Sequence, residues 1–203
     1  RVSNLGLTKH LSPNLLAALC DAAQMQSCPV HLAETDTVLP EKRRNIPMVR
    51  IKKENYYLDI AQTVLERSTC LRRQYGAIIV RNDEIVASGY NGAPRGRKNC
   101  CDLGYCVREQ MQIPRGERYE LCRSVHAEAN AIISASRNEC IGGDLYLVGR
   151  DAKTGELLHD ATSCSMCRRM VINAGISRVV IRNTEEEFTV VPVQSWVDED
   201  DTI

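Results

Sequence analysis

Long apolar runs, a surplus of either charge, aromatic side chains and low-complexity tracts are all scarce in this chain of 203 residues. No stretch approaches the ~18 consecutive apolar residues of a membrane-spanning helix, so no membrane association is expected. Basic and acidic side chains number 26 each, for a net charge of zero. That balance argues against a general nucleic-acid coat, whose non-specific affinity comes from a basic excess. One Phe, one Trp and seven Tyr offer few platforms for stacking unpaired bases, so a nucleic-acid partner is not expected. What the chain has is a globular composition, 43% hydrophobic and 26% charged, and ten cysteines. An even cysteine count can mark a secreted disulfide framework. The first residues show no charged-then-apolar leader pattern, however, and a chain of this length can bury a core without covalent staples. Clustered thiols in such a chain are expected to hold metal, in a reduced, cytoplasmic protein.

The charge balance hides an uneven distribution. Residues 1–53 carry eight basic and four acidic groups, whereas residues 183–203 carry no basic group and seven acidic ones. Residues 1–47 read as an extension, with a short helix at Asn14–Met25 started by Ser12 and Pro13. An appendage, a partner-binding arm and foreign sequence fit that extension equally well. Residues 194–203 read as an acidic, solvated tail. Between them, Tyr57, Ile60, Ala61, Val64 and Leu65 recur at helical spacing, predicting a helix that ends near Cys70. Gly76–Arg81 and Ile85–Tyr90, separated by Asn82-Asp83-Glu84, read as a β-hairpin. A long polar segment from Asn91 to Val125 holds seven basic residues and four of the cysteines. Such a loop is unusual inside a compact domain unless it is functional or tied by metal. Helices are then predicted at His126–Arg137 and Ser163–Ala174, and strands at Asp144–Gly149, Arg178–Arg182 and Phe188–Val193. This order places helices on the faces of one mixed sheet.

Two short motifs fall at the starts of the two buried helices: His126-Ala127-Glu128 and Cys164-Ser165-Met166-Cys167. Each is weak alone, and Cys164 and Cys167 by themselves also fit a redox pair or half of a zinc ribbon. Three residues apart in a first helical turn, the two thiolates face the same way, and the positive helix end favours their ionised form. With the helices side by side, His126 supplies a third metal ligand, and three protein ligands leave the fourth tetrahedral position of zinc open to water. Glu128, overhanging the metal rather than binding it, is suited to general acid/base catalysis. H-x-E followed by C-x-x-C is the signature of zinc-dependent nucleobase deaminases. Ser163 stands here where that signature has proline.

At these residues the sequence resembles the cytidine deaminase superfamily and, within it, the deoxycytidylate (dCMP) deaminase family. The resemblance runs from about Met48 to Val193. Gly89-Tyr90-Asn91-Gly92-Ala93-Pro94 looks like the family's loop after the second strand, and Glu128-Ala129-Asn130-Ala131-Ile132 like its H-A-E-x-N-A-I helix. It implies an α/β fold, a three-layer α/β/α sandwich around a five-stranded mixed sheet, and hydrolysis of the 4-amino group of dCMP to give dUMP and ammonia. It also implies Asn91 as a sugar ligand and a homo-oligomer. Arg95, Arg97 and Lys98, next to the Asn91 loop, are candidate contacts for the 5′-phosphate of a small nucleotide. Phage and Gram-positive members carry a second, structural zinc, with one cysteine at the end of the first helix and another after the Gly-Pro loop. On that pattern Cys70, Cys100, Cys106 and Cys122 form the candidate second site, with Cys101 as a substitute, and Cys20, Cys28 and Cys140 are ordinary thiols. Two other functions stay open: a deaminase of another nucleoside, base or tRNA adenosine, and a non-catalytic zinc accessory protein related to DNA uptake.

Overall fold

The computed structural model describes residues 50–114 and 116–199, so the helix expected at Asn14–Met25 lies outside the described residues. The chain runs through α1 (Lys53–Leu65), β1 (Arg73–Arg81), β2 (Glu84–Tyr90), α2 (Cys100–Leu103) and α3 (Val107–Gln110). A 3-10 turn (Tyr119–Leu121) leads into α4 (Ala127–Ser134), α5 (Arg137–Cys140), β3 (Asp144–Asp151), α6 (Ser165–Ala174), β4 (Arg178–Arg182), β5 (Phe188–Pro192) and α7 (Val193–Asp198). The strands form one mixed sheet in the order β2-β1-β3-β4-β5. β1 is antiparallel to β2 and β3, β4 is antiparallel to β5, and β3 and β4 are parallel. The parallel pair needs a crossover connection, and α6 lies within it. Among the described residues, no helix is long and apolar enough to cross a membrane.

Both faces of the sheet are covered, which explains the unbroken apolar run of β1. Ala77 and Ile79 enter one core with Ala127 and Ala131 of α4 and Val171 of α6. Ile78 and Val80 enter the other with Leu58, Ala61 and Leu65 of α1. This alternation follows from the two-residue period of a strand. Two glycines set the spacing between layers. A β-carbon on Gly76 would stand 2.2 Å from the Ala61 carbonyl oxygen of α1, and one on Gly89 would stand 2.3 Å from the Ala131 amide nitrogen of α4. At either position a side chain would push a helix off the sheet. Arg182 ties β4 to α1 from within the core: its buried guanidinium donates to Gln62 Oε1 (2.7 Å), Asp59 Oδ1 (2.6 Å) and the Asn55 carbonyl (3.2 Å).

Several boundaries differ from the sequence reading, each for a local reason. The hairpin turn is Asn82-Asp83, both at positive φ (50° and 70°), and Glu84 already belongs to β2. This is the conformation that a two-residue turn needs to match strand twist. The first helix stops at Leu65 rather than near Cys70. There the hydroxyls of Ser68 and Thr69 turn away to donate to Asn91 Oδ1 (2.6 Å) and Asn99 Oδ1 (3.0 Å). The helix expected over His126–Arg137 breaks after Ser134, and a Ser136/Glu139 capping box restarts the chain as α5. The solvated tail read at residues 194–203 is corrected for the described part. Val193 to Asp198 form α7, whose Trp196 packs on the core beneath the Arg168 guanidinium, 5.1 Å from its ring centre. The buried Val193 and the part-buried Trp196 outweigh the sparse acids of that stretch.

Candidate active site

α4 and α6 lie side by side on one face of the sheet and present their N-termini together. His126 is the N-cap of α4 and Cys164 the N-cap of α6, each in extended backbone, while Cys167 sits in the first turn of α6. His126 Nδ1 stands 3.4 Å from Cys164 Sγ and 3.4 Å from Cys167 Sγ. All three ligand atoms fall within 4.8 Å of one another. Tetrahedral zinc, with bonds near 2.0–2.1 Å to nitrogen and 2.3 Å to sulfur, would hold a nitrogen and a sulfur roughly 3.6 Å apart, so the donor set fits that ion. Glu128, in the first turn of α4, is 5% exposed beside them.

The protonation states follow from this crowding. The hydrogen bond from Cys167, against the effect of burial, lowers the Cys164 thiol to about 4, whereas that same bond and burial push the Cys167 thiol up. The pair thus keeps one proton, which a divalent cation would displace. Burial works against a charged His126, but hydrogen bonds to Cys122 and Cys164 and the charge of Glu128 prevail and push the imidazole up to about 10. Burial raises Glu128 above the usual carboxylate range despite the opposing His126 charge. A carboxyl so placed exchanges a proton more readily near neutrality than an exposed glutamate does.

His126, Glu128 and Cys164 line a cavity of about 410 Å³ whose other walls include Asn91, Tyr119, Cys70, Cys106, Cys122 and four arginines, Arg72, Arg73, Arg108 and Arg168. The volume lies within the range of roughly 300–1,000 Å³ common for small-molecule sites. Tyr119 meets His126 edge-on, with ring centres 5.1 Å apart and planes at 89°. Asn91 is buried, and most of its hydrogen-bonding capacity is used within the fold. Its Oδ1 accepts from Ser68 Oγ (2.6 Å) and the Tyr75 amide (2.8 Å), and its Nδ2 donates to the Arg73 carbonyl (2.8 Å). One Nδ2 hydrogen remains for a ligand.

The sequence model of the cytidine and deoxycytidylate deaminase zinc-binding region matches residues 51–183. The chain belongs to this deaminase family. It is 34% identical to the deoxycytidylate deaminase of Saccharomyces cerevisiae over 75% of this chain and 46% of that protein. It is 33% identical to the deoxycytidylate deaminase of Schizosaccharomyces pombe over 63% of this chain and 36% of that protein. The chain therefore spans less than half the length of either yeast relative. It is also 33% identical to the deoxycytidylate deaminase of Mycobacterium phage D29, over 66% of this chain and 96% of that protein.

The other residues singled out from the deaminase sequence fare differently. Arg95, Arg97 and Lys98 are exposed and lie outside the cavity lining, because their loop turns outward through Gly96 at a φ of 81°. The cavity cations are the four arginines above, which the sequence reading missed. Arg168 had a signal, standing four residues after Cys164 and so on the same helix face; Arg108 had none. Cys70, Cys100, Cys106 and Cys122 share one neighbourhood. Burial first, then the charges of Cys70, Cys106 and Cys122, raises the Cys100 thiol. Among the described residues, however, only His126, Cys164 and Cys167 gather three ligand atoms within 4.8 Å. Cys101 is exposed and donates to Asp102 Oδ1 (3.7 Å), and Cys140 is buried and free.

Proposed function

We propose that the chain, from residue 48 through α7, is the catalytic domain of a zinc hydrolase that converts dCMP and water to dUMP and ammonia. The observation that carries this reading is the convergence of His126, Cys164 and Cys167 with the buried Glu128 beside a cavity that four arginines line. Zinc held by the three ligands would supply Lewis-acid activation of water. Glu128, held above the usual carboxylate range by burial, is suited to take a proton from that water and return it to the cytosine ring and to the departing amine. Asn91 lines the cavity, and its unspent Nδ2 hydrogen would donate to a sugar hydroxyl. Among the described residues, Glu128 is also the only acidic one in the cavity walls, so the cavity favours an anionic nucleotide over a neutral nucleoside.

A second zinc is assigned to Cys70, Cys100, Cys106 and Cys122. Their shared neighbourhood supports it, and the metal would draw the thiols to bonding distance. A reducing, cytoplasmic setting fits the eight described cysteines, all of them free. A homo-oligomer is carried over from the family resemblance.

The test is ammonia release from dCMP, CMP, deoxycytidine and dCTP by the zinc-loaded protein, alongside Glu128→Ala. The dCMP reaction is expected to be fastest, and the variant to lose about 100- to 10,000-fold. Turnover unaffected by the substitution would overturn the mechanism. An absence of turnover with every cytosine compound would favour the zinc accessory protein.

A further inference from the structure

We infer that Arg108 is a specificity-determining residue of this cavity, the group that recognises the monophosphate of the nucleotide; the inference rests on the nucleotide reading above. Arg108 comes from α3 and lines the cavity with His126 and Glu128, yet it is only 5% exposed. Its Nη2 hydrogens go to the carbonyls of Pro114 (2.8 Å) and Glu117 (2.5 Å). Its guanidinium lies over Tyr119, 4.5 Å from the ring centre. These contacts fix the plane of the fork without satisfying it. Among the described residues, the Nε is buried with no hydrogen-bond partner, Nη1 has no acceptor, and no carboxylate pairs with the charge. A buried cation held in one plane, with one edge unspent, lacks an anion with two acceptor oxygens, and phosphate matches that geometry.

Two of the other cavity arginines are already engaged. Arg72 faces Glu109, Nε to Oε1 3.5 Å, and Arg168 donates to the Ser163 carbonyl (3.1 Å) while covering Trp196. Position also favours Arg108. Tyr119 touches both its guanidinium and the His126 ring. A ligand with its base at the metal ligands and its phosphate at Arg108 would lie along the Tyr119 ring.

The experiment compares the wild type with Arg108→Gln and Arg108→Lys, each checked for zinc content and melting temperature. Two quantities are read: the ratio of kcat/KM for dCMP to that for deoxycytidine, and calorimetric binding of dUMP, deoxyuridine and deoxyribose 5-phosphate. Charge-assisted hydrogen bonds of this type correspond to a change of about 10- to 100-fold. The ratio is expected to fall by that factor in Arg108→Gln and by less in Arg108→Lys, and dUMP binding is expected to weaken more than deoxyuridine binding. An unchanged ratio in a folded, zinc-loaded Arg108→Gln protein would overturn the assignment. If the glutamine variant misfolds, Arg108→Lys and wild-type competition decide. Inorganic phosphate should displace dUMP but not deoxyuridine, and equal displacement of both, or a lysine ratio equal to wild type, would count against Arg108. If the wild type deaminates no cytosine compound, the functional reading falls, and deoxyribose 5-phosphate binding still judges Arg108. Binding lost in the variant supports it, and equal binding refutes it.

Discussion

His126, Cys164 and Cys167 are carried by the starts of α4 and α6, which pack on the sheet, whereas Cys70, Cys100, Cys106 and Cys122 come from turns and four-residue helices. The first group has its ligand atoms within 4.8 Å of one another. The second shares a neighbourhood without closing to that distance. The difference lies in what holds each group. Helix starts fixed by core side chains such as Ala127, Val171 and the fully buried Cys167 cannot drift apart without exposing apolar surface. Helices of a single turn have almost no stability of their own, so less holds their cysteines in place. A preorganised site suits catalysis, and a metal-organised one suits folding a long segment onto the body. The two groups meet at Cys122, whose hydrogen bond with His126, opposing burial, lowers its pKa.

The largest effect expected from breaking this comparison is at the preorganised site. Cys167→Ala should remove one zinc per chain and lower dCMP turnover by at least about 10,000-fold, the scale of losing metal activation of water. The second zinc and most of the melting temperature should persist. Metal analysis and ammonia release check both. Loss of two zincs together would show that the groups form one cooperative unit.

Cys100→Ser tests the other side. It should remove the second zinc and about 3–4 kcal/mol of stability, lowering the melting temperature by roughly 10 °C in a domain of this size. Loss of amide protection in residues 100–122 should accompany it. Unchanged zinc content would leave four thiols that are neighbours and nothing more.

The same contrast separates what was legible in the sequence from what was not. Arg178–Arg182 was readable to the residue, and the placement of His126 and Cys164 at paired helix starts followed from patterning alone, because period and capping are local properties. The segment from Asn91 to Val125 was opaque. Its short elements depend on distant partners, such as Thr69 with Asn99 and Arg108 with Pro114 and Glu117. Arg95, Arg97 and Lys98 show the same limit: adjacency in sequence to Asn91 did not make them neighbours of the cavity, since one glycine turn suffices to send them to solvent. Arg108, seventeen residues beyond Asn91, came instead.

The smallest expected effect, and the finest discrimination, concerns which thiol completes the second group. Cys100 and Cys101 are adjacent on α2, so their side chains point about 100° apart and one metal cannot easily take both. Cys100 is buried and feels the charges of Cys70, Cys106 and Cys122, with Cys101 absent from that set. Cys101 instead faces solvent beside Asp102. Cys101→Ser should therefore keep both zincs and shift stability by no more than about 0.5 kcal/mol, as exposed substitutions do, whereas Cys106→Ser should lose the second zinc as Cys100→Ser does. Zinc lost from Cys101→Ser but retained in Cys100→Ser would mean that α2 rotates when metal binds. The second site would then be organised by its ion even more completely than the contrast between the two groups implies.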